Sequence, residues 1–189
     1  MKALVFLLAI GFSLSAQALN LDRIHVGVFN PQWSYLQNSD LNYDVVRANS
    51  FFVSAHIQKH ILSAQYSESA QDSGNSTLNY KNIYRYVITQ YGRNLLNHQF
   101  NDSLDFEMHL AGGLGFAQNE VQSRFGGDSS TETGELRLIG LLSLSNYIFI
   151  KSGSPDWNFF VGAQGRLQRD TSTSPEVYLV GQFLFGITF

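Results

Sequence analysis

The chain has 189 residues, of which 44% are hydrophobic and 14% charged, with a net charge of -3 and no cysteine. A negative balance argues against a nucleic-acid-binding surface, and the lack of cysteine excludes disulfides and a lipid-modified N-terminal cysteine. The length, without a proline-rich linker or a charge block, is typical of one domain.

The N-terminal segment has the features of a secretory signal peptide. Lys2 supplies a positive charge, an apolar stretch runs from Ala3 to Leu14, and Ala16-Gln17-Ala18 matches the small-x-small cleavage rule. The apolar stretch is too short to cross a bilayer as a helix. We therefore expect residues 1–18 to be removed on export and residues 19–189 to form the mature domain.

Eight segments of the mature chain alternate apolar residues with small or polar ones. This period of two is typical of β-strands that have one apolar and one polar face. The predicted strands are 23–30, 50–58, 60–69, 80–91, 103–118, 134–150, 157–168 and 176–189. The pattern favours an all-β domain.

The alternation is clearest in Leu104–Phe116. Asp105, Glu107 and His109 share one face of this predicted strand, and the large apolar residues share the other. Thirteen residues at ~3.3 Å each and a tilt of ~40° climb roughly 33 Å, enough to cross the ~25 Å apolar band of an outer membrane. Strands of soluble domains are usually only about 5 to 6 residues long, so the length favours a membrane-spanning strand.

The last predicted strand ends on an aromatic residue. Phe183, Phe185, Ile187 and Phe189 lie on one face, and Gln182 lies on the other. This segment resembles the closing strand of bacterial outer-membrane β-barrels, in which the assembly machinery reads a terminal Phe preceded by alternating apolar residues. The resemblance implies that these four apolar residues form the assembly signal.

The connections between the predicted strands fall into two sets. Segments 31–49, 70–79, 119–133 and 169–175 are polar and rich in Ser, Asn, Gly and Asp, and they alternate with links near 59, 92–102 and 151–156. Outer-membrane barrels with an even number of strands have long loops outside and short turns in the periplasm. We expect the first set to face the environment, although the link at 92–102 is long for a turn.

The inward-facing residues of an eight-stranded barrel have to satisfy one another, because such an interior is only wide enough for side chains. We predict a salt-bridged polar network that plugs the lumen, with an ion path through it as the alternative. Its members are Arg85, Asp105, Glu107, His109, Glu135, Arg137, Gln164, Arg166, Glu176 and Gln182.

Two short groupings suggest chemistry without completing a motif. Asp105, Glu107 and His109 are two apart on one strand face, a spacing that can present metal ligands or an acid/base group. Ser54 and His56 also share a face, as a nucleophile and its base would, but they are assigned to the lumen and have no third member. We predict no catalytic residue, no metal site and no cofactor.

The leader, the alternating strands, the polar loops and Phe189 together resemble the small eight-stranded bacterial outer-membrane β-barrels, among them the OmpA membrane domain, OmpX and Ail. The resemblance implies a transmembrane, antiparallel up-and-down β-barrel in the bacterial outer membrane. It transfers no functional residue, since the family includes structural proteins, adhesins and serum-resistance factors.

Three hypotheses about function follow. The first is a non-enzymatic barrel that stabilises the envelope or presents loops to an external ligand; its partners would be outer-membrane lipids, lipopolysaccharide and, during biogenesis, the barrel assembly machinery, with no nucleic acid. The second is an enzyme that modifies lipid A or phospholipid, which requires Ser and His at a lipid-accessible rim. The third is a soluble lipocalin-like carrier, which would place the apolar face inside around a ligand.

Overall fold

The computed structural model describes residues 21–36, 44–46, 48–74, 78–125, 128–154, 156–170 and 177–189. The predicted signal peptide, residues 1–18, lies outside this part of the chain. Within it, no helix has the length and apolar character needed to cross a membrane. The ten strands are β1 (Arg23–Leu36), β2 (Asp44–Val46), β3 (Ala48–Ile57), β4 (His60–Gly74), β5 (Leu78–Asn101), β6 (Leu104–Phe125), β7 (Asp128–Thr133), β8 (Arg137–Lys151), β9 (Asn158–Asp170) and β10 (Val177–Thr188).

The strands form one closed antiparallel barrel. Eight of them follow the order β10-β9-β8-β6-β5-β4-β3-β1, and β1 pairs with β10 to close the sheet. The short strands β2 and β7 are additions that pair with β1 and β6. The predicted all-β, eight-stranded, antiparallel barrel is confirmed.

The two ends of the barrel differ. At one end, which we call the turn end, β1 begins and β10 ends, and short links join β3 to β4, β5 to β6 and β8 to β9. The β3–β4 link is only Gln58-Lys59, and Gln58 has a positive φ of 55°. The opposite end, which we call the loop end, carries β2 and β7 and the remaining connections.

Several predicted strands are too short. Segment 92–102, read as a link, is the last part of β5, and the turn itself is only Asp102-Ser103. A β-bulge between Asn94 and Leu96 explains the error, because the extra residue shifts the alternation by one position. At the loop end, most of 70–79 and 119–133 is also strand; both faces are polar there, so the alternation that marks a strand is lost.

The outer face of the barrel is apolar, and the interior combines buried polar side chains with a buried aromatic and aliphatic cluster. In β8, Leu142, Leu144 and Ile148 are exposed, whereas Ser143 and Ser145 are buried. Exposed apolar side chains continue onto β9 and β10. Water would disfavour this belt and hydrocarbon stabilises it, so the soluble carrier hypothesis, which needs the reverse polarity, is wrong.

Candidate functional site in the barrel interior

A group of ionisable side chains fills the interior near the turn end. β1 supplies Arg23 and His25, β3 supplies His56, and β6 supplies Glu107 and His109. We call these five residues the histidine cluster. Since β1 and β6 lie four strands apart in either direction around the eight-stranded barrel, contacts between them cross the full width of the lumen.

Glu107 is the anionic centre of the cluster. Its side chain has no solvent exposure, and its Oε1 accepts from Nη2 of Arg23 at 2.5 Å and from Nδ2 of Asn97 at 3.4 Å. Oε2 lies 2.9 Å from Nε2 of His109. A buried carboxylate is costly unless it is paired and hydrogen-bonded, and these three partners meet that need.

The three histidine rings pack against one another, and His56 and His109 lie beside this carboxylate. The His25 ring centroid lies 4.0 Å from that of His56 and 6.4 Å from that of His109, and the His56 and His109 centroids are 5.1 Å apart. His25 is 0% exposed and His56 is 1% exposed. Among the described residues, both ring nitrogens of His25 and the Nε2 atom of His56 lack a hydrogen-bond partner.

Strand register explains why the histidines meet. His25 is paired with Ser54 on β3 and with Thr188 on β10, and Arg23 is paired with His56. The hydroxyls of Ser54 and Thr188 are also buried and unpartnered in the described part of the chain. Buried polar groups are normally satisfied, and His25 with its two cross-strand neighbours is one of the places in the described interior where such atoms lack a partner.

A layer of amides lies next in the interior, and we call Gln65, Gln164 and Gln182 the amide layer. Gln164 Oε1 accepts from Gln182 Nε2 at 2.6 Å and from Gln65 Nε2 at 3.4 Å. Its Nε2 donates to Ser145 Oγ at 2.8 Å. The Gln65–Gln164 bond crosses the barrel, because β4 and β9 lie four strands apart, and the other two bonds join neighbouring strands.

Arg166 is held by neutral groups. It is 1% exposed, its guanidinium carbon lies 4.6 Å from the Tyr86 ring centroid, and Nη1 donates to Gln65 Oε1 at 3.3 Å. A guanidinium over an aromatic face gains cation–π stabilisation, which strengthens when water is excluded. The prediction that a carboxylate would balance each interior arginine does not describe this residue.

The structure places the predicted interior residues in different environments. Those buried inside are Glu107, His109, Gln164, Arg166 and Gln182. Asp105 lies at the rim of the turn end, with Oδ2 3.5 Å from Nζ of Lys151. Glu135 and Arg137 are exposed near the loop end, and Arg137, which is paired with the buried Ala117, lies on the inward face at this rim. Glu176 lies outside the described residues.

Arg85 was assigned to the wrong face. It alternates with Tyr84 and Tyr86, which point inward, and on the outer side it binds Glu68 Oε2 at 2.8 Å and Glu120 Oε2 at 2.6 Å. We call Glu68, Arg85 and Glu120 the outer ion cluster. It lies beyond Phe116, where the apolar belt of β6 ends, and hydrogen bonding from Arg85 lowers the pKa of Glu120.

Sequence reasoning missed how the histidines combine. Glu107 and His109 were recognised as inward-facing, but Arg23 and His25 were not assigned to the interior network. A usable signal was present, because His25, His56 and His109 each occupy an inward position close to the turn end of its strand. What the pattern lacked was the register that brings the three strands together.

The four residues read as an assembly signal lie on the outer face of the barrel. Phe183 and Phe185 are each 45% exposed and Phe189 is 60% exposed, while Ile187 is partly buried. Their recognition by the assembly machinery stays a prediction.

The histidine cluster has metal-binding chemistry. His56, Glu107 and His109 each offer a ligand atom, and these atoms lie within 4.8 Å of one another. Ser54 and His56, considered as a nucleophile and its base, are 3% and 1% exposed inside the barrel. The Ser and His pair therefore does not face the lipid.

No family model and no curated protein sequence matches this chain. Among solved structures, Ail, the attachment invasion locus protein of Yersinia pestis, is similar at 11% identity and a TM-score of 0.52, over 88% of this chain and 98% of Ail. Neisserial surface protein A, NspA, is similar at 11% identity and a TM-score of 0.50, over 88% of this chain and 94% of NspA.

At this level of identity, the likeness concerns the fold. It covers nearly the whole length of Ail and NspA, and it agrees with the closed eight-stranded sheet and with the apolar outer belt. The chain therefore has the fold of the small eight-stranded outer-membrane β-barrels.

Proposed function

We propose that this protein is a non-enzymatic barrel of the outer membrane whose interior is closed to ions and whose loop end contacts an external ligand or stabilises the envelope. The observation that carries the proposal is that side chains from opposite walls bond across the lumen. Arg23 reaches Glu107, and Arg166 reaches Gln65. An interior filled by bonded side chains leaves no continuous water column.

The buried aromatic residues support the same proposal. Phe29, Phe52 and Phe160 are each no more than 1% exposed, and they pack together inside the barrel. A water-filled channel would leave inward-facing rings partly accessible, as in wide porins. Here the aromatic rings and the polar side chains together fill the lumen.

The loop end is the part of the barrel suited to outside contacts. Every residue of β7, Asp128–Thr133, is exposed, and Glu68, Arg85 and Glu120 form an ion cluster on the outer face nearby. Loops on a rigid scaffold commonly carry binding specificity. Ail and NspA are named as an attachment protein and a surface protein, and a surface role for this chain agrees with those names.

The burial of the one Ser and His pair that the sequence suggested supports a non-enzymatic role. Ser54 and His56 are buried, and a lipid substrate would have to enter the lumen to reach them. The proposal includes the predicted partners. These are outer-membrane lipids and lipopolysaccharide around the barrel, and the assembly machinery during its biogenesis.

Conductance tests the proposal directly. The mature chain, refolded in detergent and checked by faster gel migration before boiling, is added to planar bilayers with a general porin as positive control. We expect no stable conductance from the wild-type barrel. A steady open level would overturn the closed-lumen proposal, and release of fatty acid from phospholipid or lipopolysaccharide, detected by mass spectrometry, would overturn the non-enzymatic one.

A further inference from the structure

We propose that the histidine cluster is a binding site for a divalent transition metal of the zinc class, held inside the barrel near the turn end. His56, Glu107 and His109 would be ligands, with His25 as the fourth. This inference goes beyond the proposed function, since a closed barrel needs no metal.

The ligand atoms are already close to coordinating positions. In a tetrahedral site with bonds of about 2.0 to 2.1 Å, neighbouring ligand atoms are about 3.3 Å apart. The candidate atoms of His56, Glu107 and His109 lie within 4.8 Å of one another. Rotation of the imidazole rings about a broad torsion can close a gap of this size without moving the strands.

Hydrogen bonding prepares the carboxylate for this role. Arg23 and Asn97 both bind Oε1 of Glu107, which leaves Oε2 directed at Nε2 of His109, 2.9 Å away. A metal would take the place of the proton between these two atoms. Outer partners that orient a ligating carboxylate are typical of metal sites.

The unpartnered nitrogens are the independent observation. His25 is 0% exposed with both ring nitrogens unpartnered among the described residues, and His56 is 1% exposed with Nε2 unpartnered. Buried polar atoms without a partner are rare and costly. A metal ion would coordinate one nitrogen of each ring at the same time, and Glu107 would be the one carboxylate ligand.

The ligand types select the metal class. Imidazole nitrogen suits Zn²⁺, Cu²⁺ and Ni²⁺, whereas Mg²⁺ and Ca²⁺ prefer a shell of oxygen ligands. Three imidazoles and one carboxylate supplied by the protein would complete four-coordinate geometry, as in structural zinc sites. Entry would be from the turn end, where the side chain of Arg23 is 34% exposed.

The chain supplies its own control. It has five histidines, and the two outside the cluster, His60 and His98, are exposed. The double variant His60→Gln/His98→Gln removes the surface histidines, and His56→Gln/His109→Gln removes two proposed ligands. Both carry the same number of substitutions of the same kind.

The test uses the untagged mature chain, refolded in detergent and titrated with Co²⁺, whose visible absorption becomes intense in four-coordinate sites. We expect one Co²⁺ per wild-type barrel, displaced by Zn²⁺, and the same in His60→Gln/His98→Gln. Affinity should fall at least about 100-fold in His56→Gln/His109→Gln, since loss of an outer-shell partner alone costs about 10- to 100-fold. Glu107→Gln should also weaken binding.

A second measurement does not depend on the variants folding. X-ray absorption at the zinc edge of the wild-type complex should show imidazole scattering with one oxygen ligand. The proposal is overturned if the wild-type barrel binds no Co²⁺, if binding survives in folded His56→Gln/His109→Gln, if it is lost in His60→Gln/His98→Gln, or if the zinc shell is all oxygen. None of these outcomes bears on ion conductance.

Discussion

The seam where β1 meets β10 depends on two glycines, and adding one methyl group there should destabilise the barrel. Gly27 is paired with Gly186 across the seam. A Cβ built on Gly186 would lie 2.5 Å from Cζ of Phe160 and 2.7 Å from Cα of Gly27, and it would also meet the carbonyl oxygen of Val26. Carbon atoms in contact normally stay about 3.5 to 4.0 Å apart.

The size of the effect follows from this crowding. Because backbone atoms are among those approached, the clash cannot be relieved by turning one side chain. Overpacking of a well-packed interior costs about 1 to 3 kcal/mol, and we expect Gly186→Ala at the upper end of that range. Gly27→Ala should behave alike, since its Cβ would lie 2.8 Å from Cε1 of Phe52 and would also meet the carbonyl oxygen of Phe185.

Gly165 is the matched control. It lies on the exposed face of β9, and a Cβ built on it meets nothing within 4 Å. Gly165→Ala should be neutral or stabilise by about 0.4 to 1 kcal/mol, because alanine has fewer conformations to lose on folding. Gly186→Ala and Gly165→Ala should therefore differ by about 1 to 4 kcal/mol in the free energy of unfolding.

The assay is urea unfolding in lipid vesicles, followed by tryptophan fluorescence and by the gel shift between unboiled and boiled samples. The free energy of unfolding of Gly186→Ala should be clearly below that of Gly165→Ala, with unchanged m values. Equal stability of the two variants would refute the reasoning, because it would mean that the strands can separate at the seam without loss of pairing.

Three further predictions concern the belt, the amide layer and the outer ion cluster. Leu144→Arg, at the centre of the apolar belt on β8, should lower the free energy of unfolding in vesicles by about 2 to 4 kcal/mol. Leu136→Arg, near the rim, should lower it by only about 0 to 1 kcal/mol. Equal losses for the two variants would contradict the position of the belt. Gln164→Leu should lower the free energy of unfolding by about 1 to 3 kcal/mol for each buried partner that it leaves unsatisfied, as measured by the same urea unfolding in vesicles. Hydrogen bonding from Arg85 lowers the pKa of Glu120. The ion pair therefore stabilises the folded barrel at pH values above the pKa that Glu120 has in the unfolded chain, and this stabilisation is lost as the pH falls through the pKa that Glu120 has in the folded barrel. The stability difference between wild type and Glu120→Gln should accordingly shrink on acidification; a constant difference would argue against the ion pair.

Much of the fold could be predicted because strand alternation is a local property. In β9, Phe159, Val161 and Leu167 face outward and Gln164 and Arg166 face inward, as the sequence indicated. The alternation failed where its physical cause was absent. The loop-end extensions of β4 and β6 are mostly polar at successive positions in the sequence, so they looked like loops, and Arg85 was placed inside.

The candidate site was less predictable than the fold. Glu107 and His109 were expected in the interior, but Arg23, which binds Glu107, is 84 residues away along the chain. A carboxylate–arginine pair is present between Glu107 and Arg23, but Arg166 instead lies over Tyr86 and bonds to an amide. The sign of a residue's charge does not indicate which residues lie at the same level along the barrel axis and so contact one another.

The sequence by itself determined which side of each membrane-spanning strand is apolar, because successive side chains point to opposite faces and that rule needs no knowledge of neighbours. It also determined that the strands are long enough to cross a membrane. Only the tertiary structure decided which inward residues touch, since closing β1 on β10 sets the stagger of all strands at once. That stagger brings His25, His56 and His109 around Glu107, although no local pattern joins them.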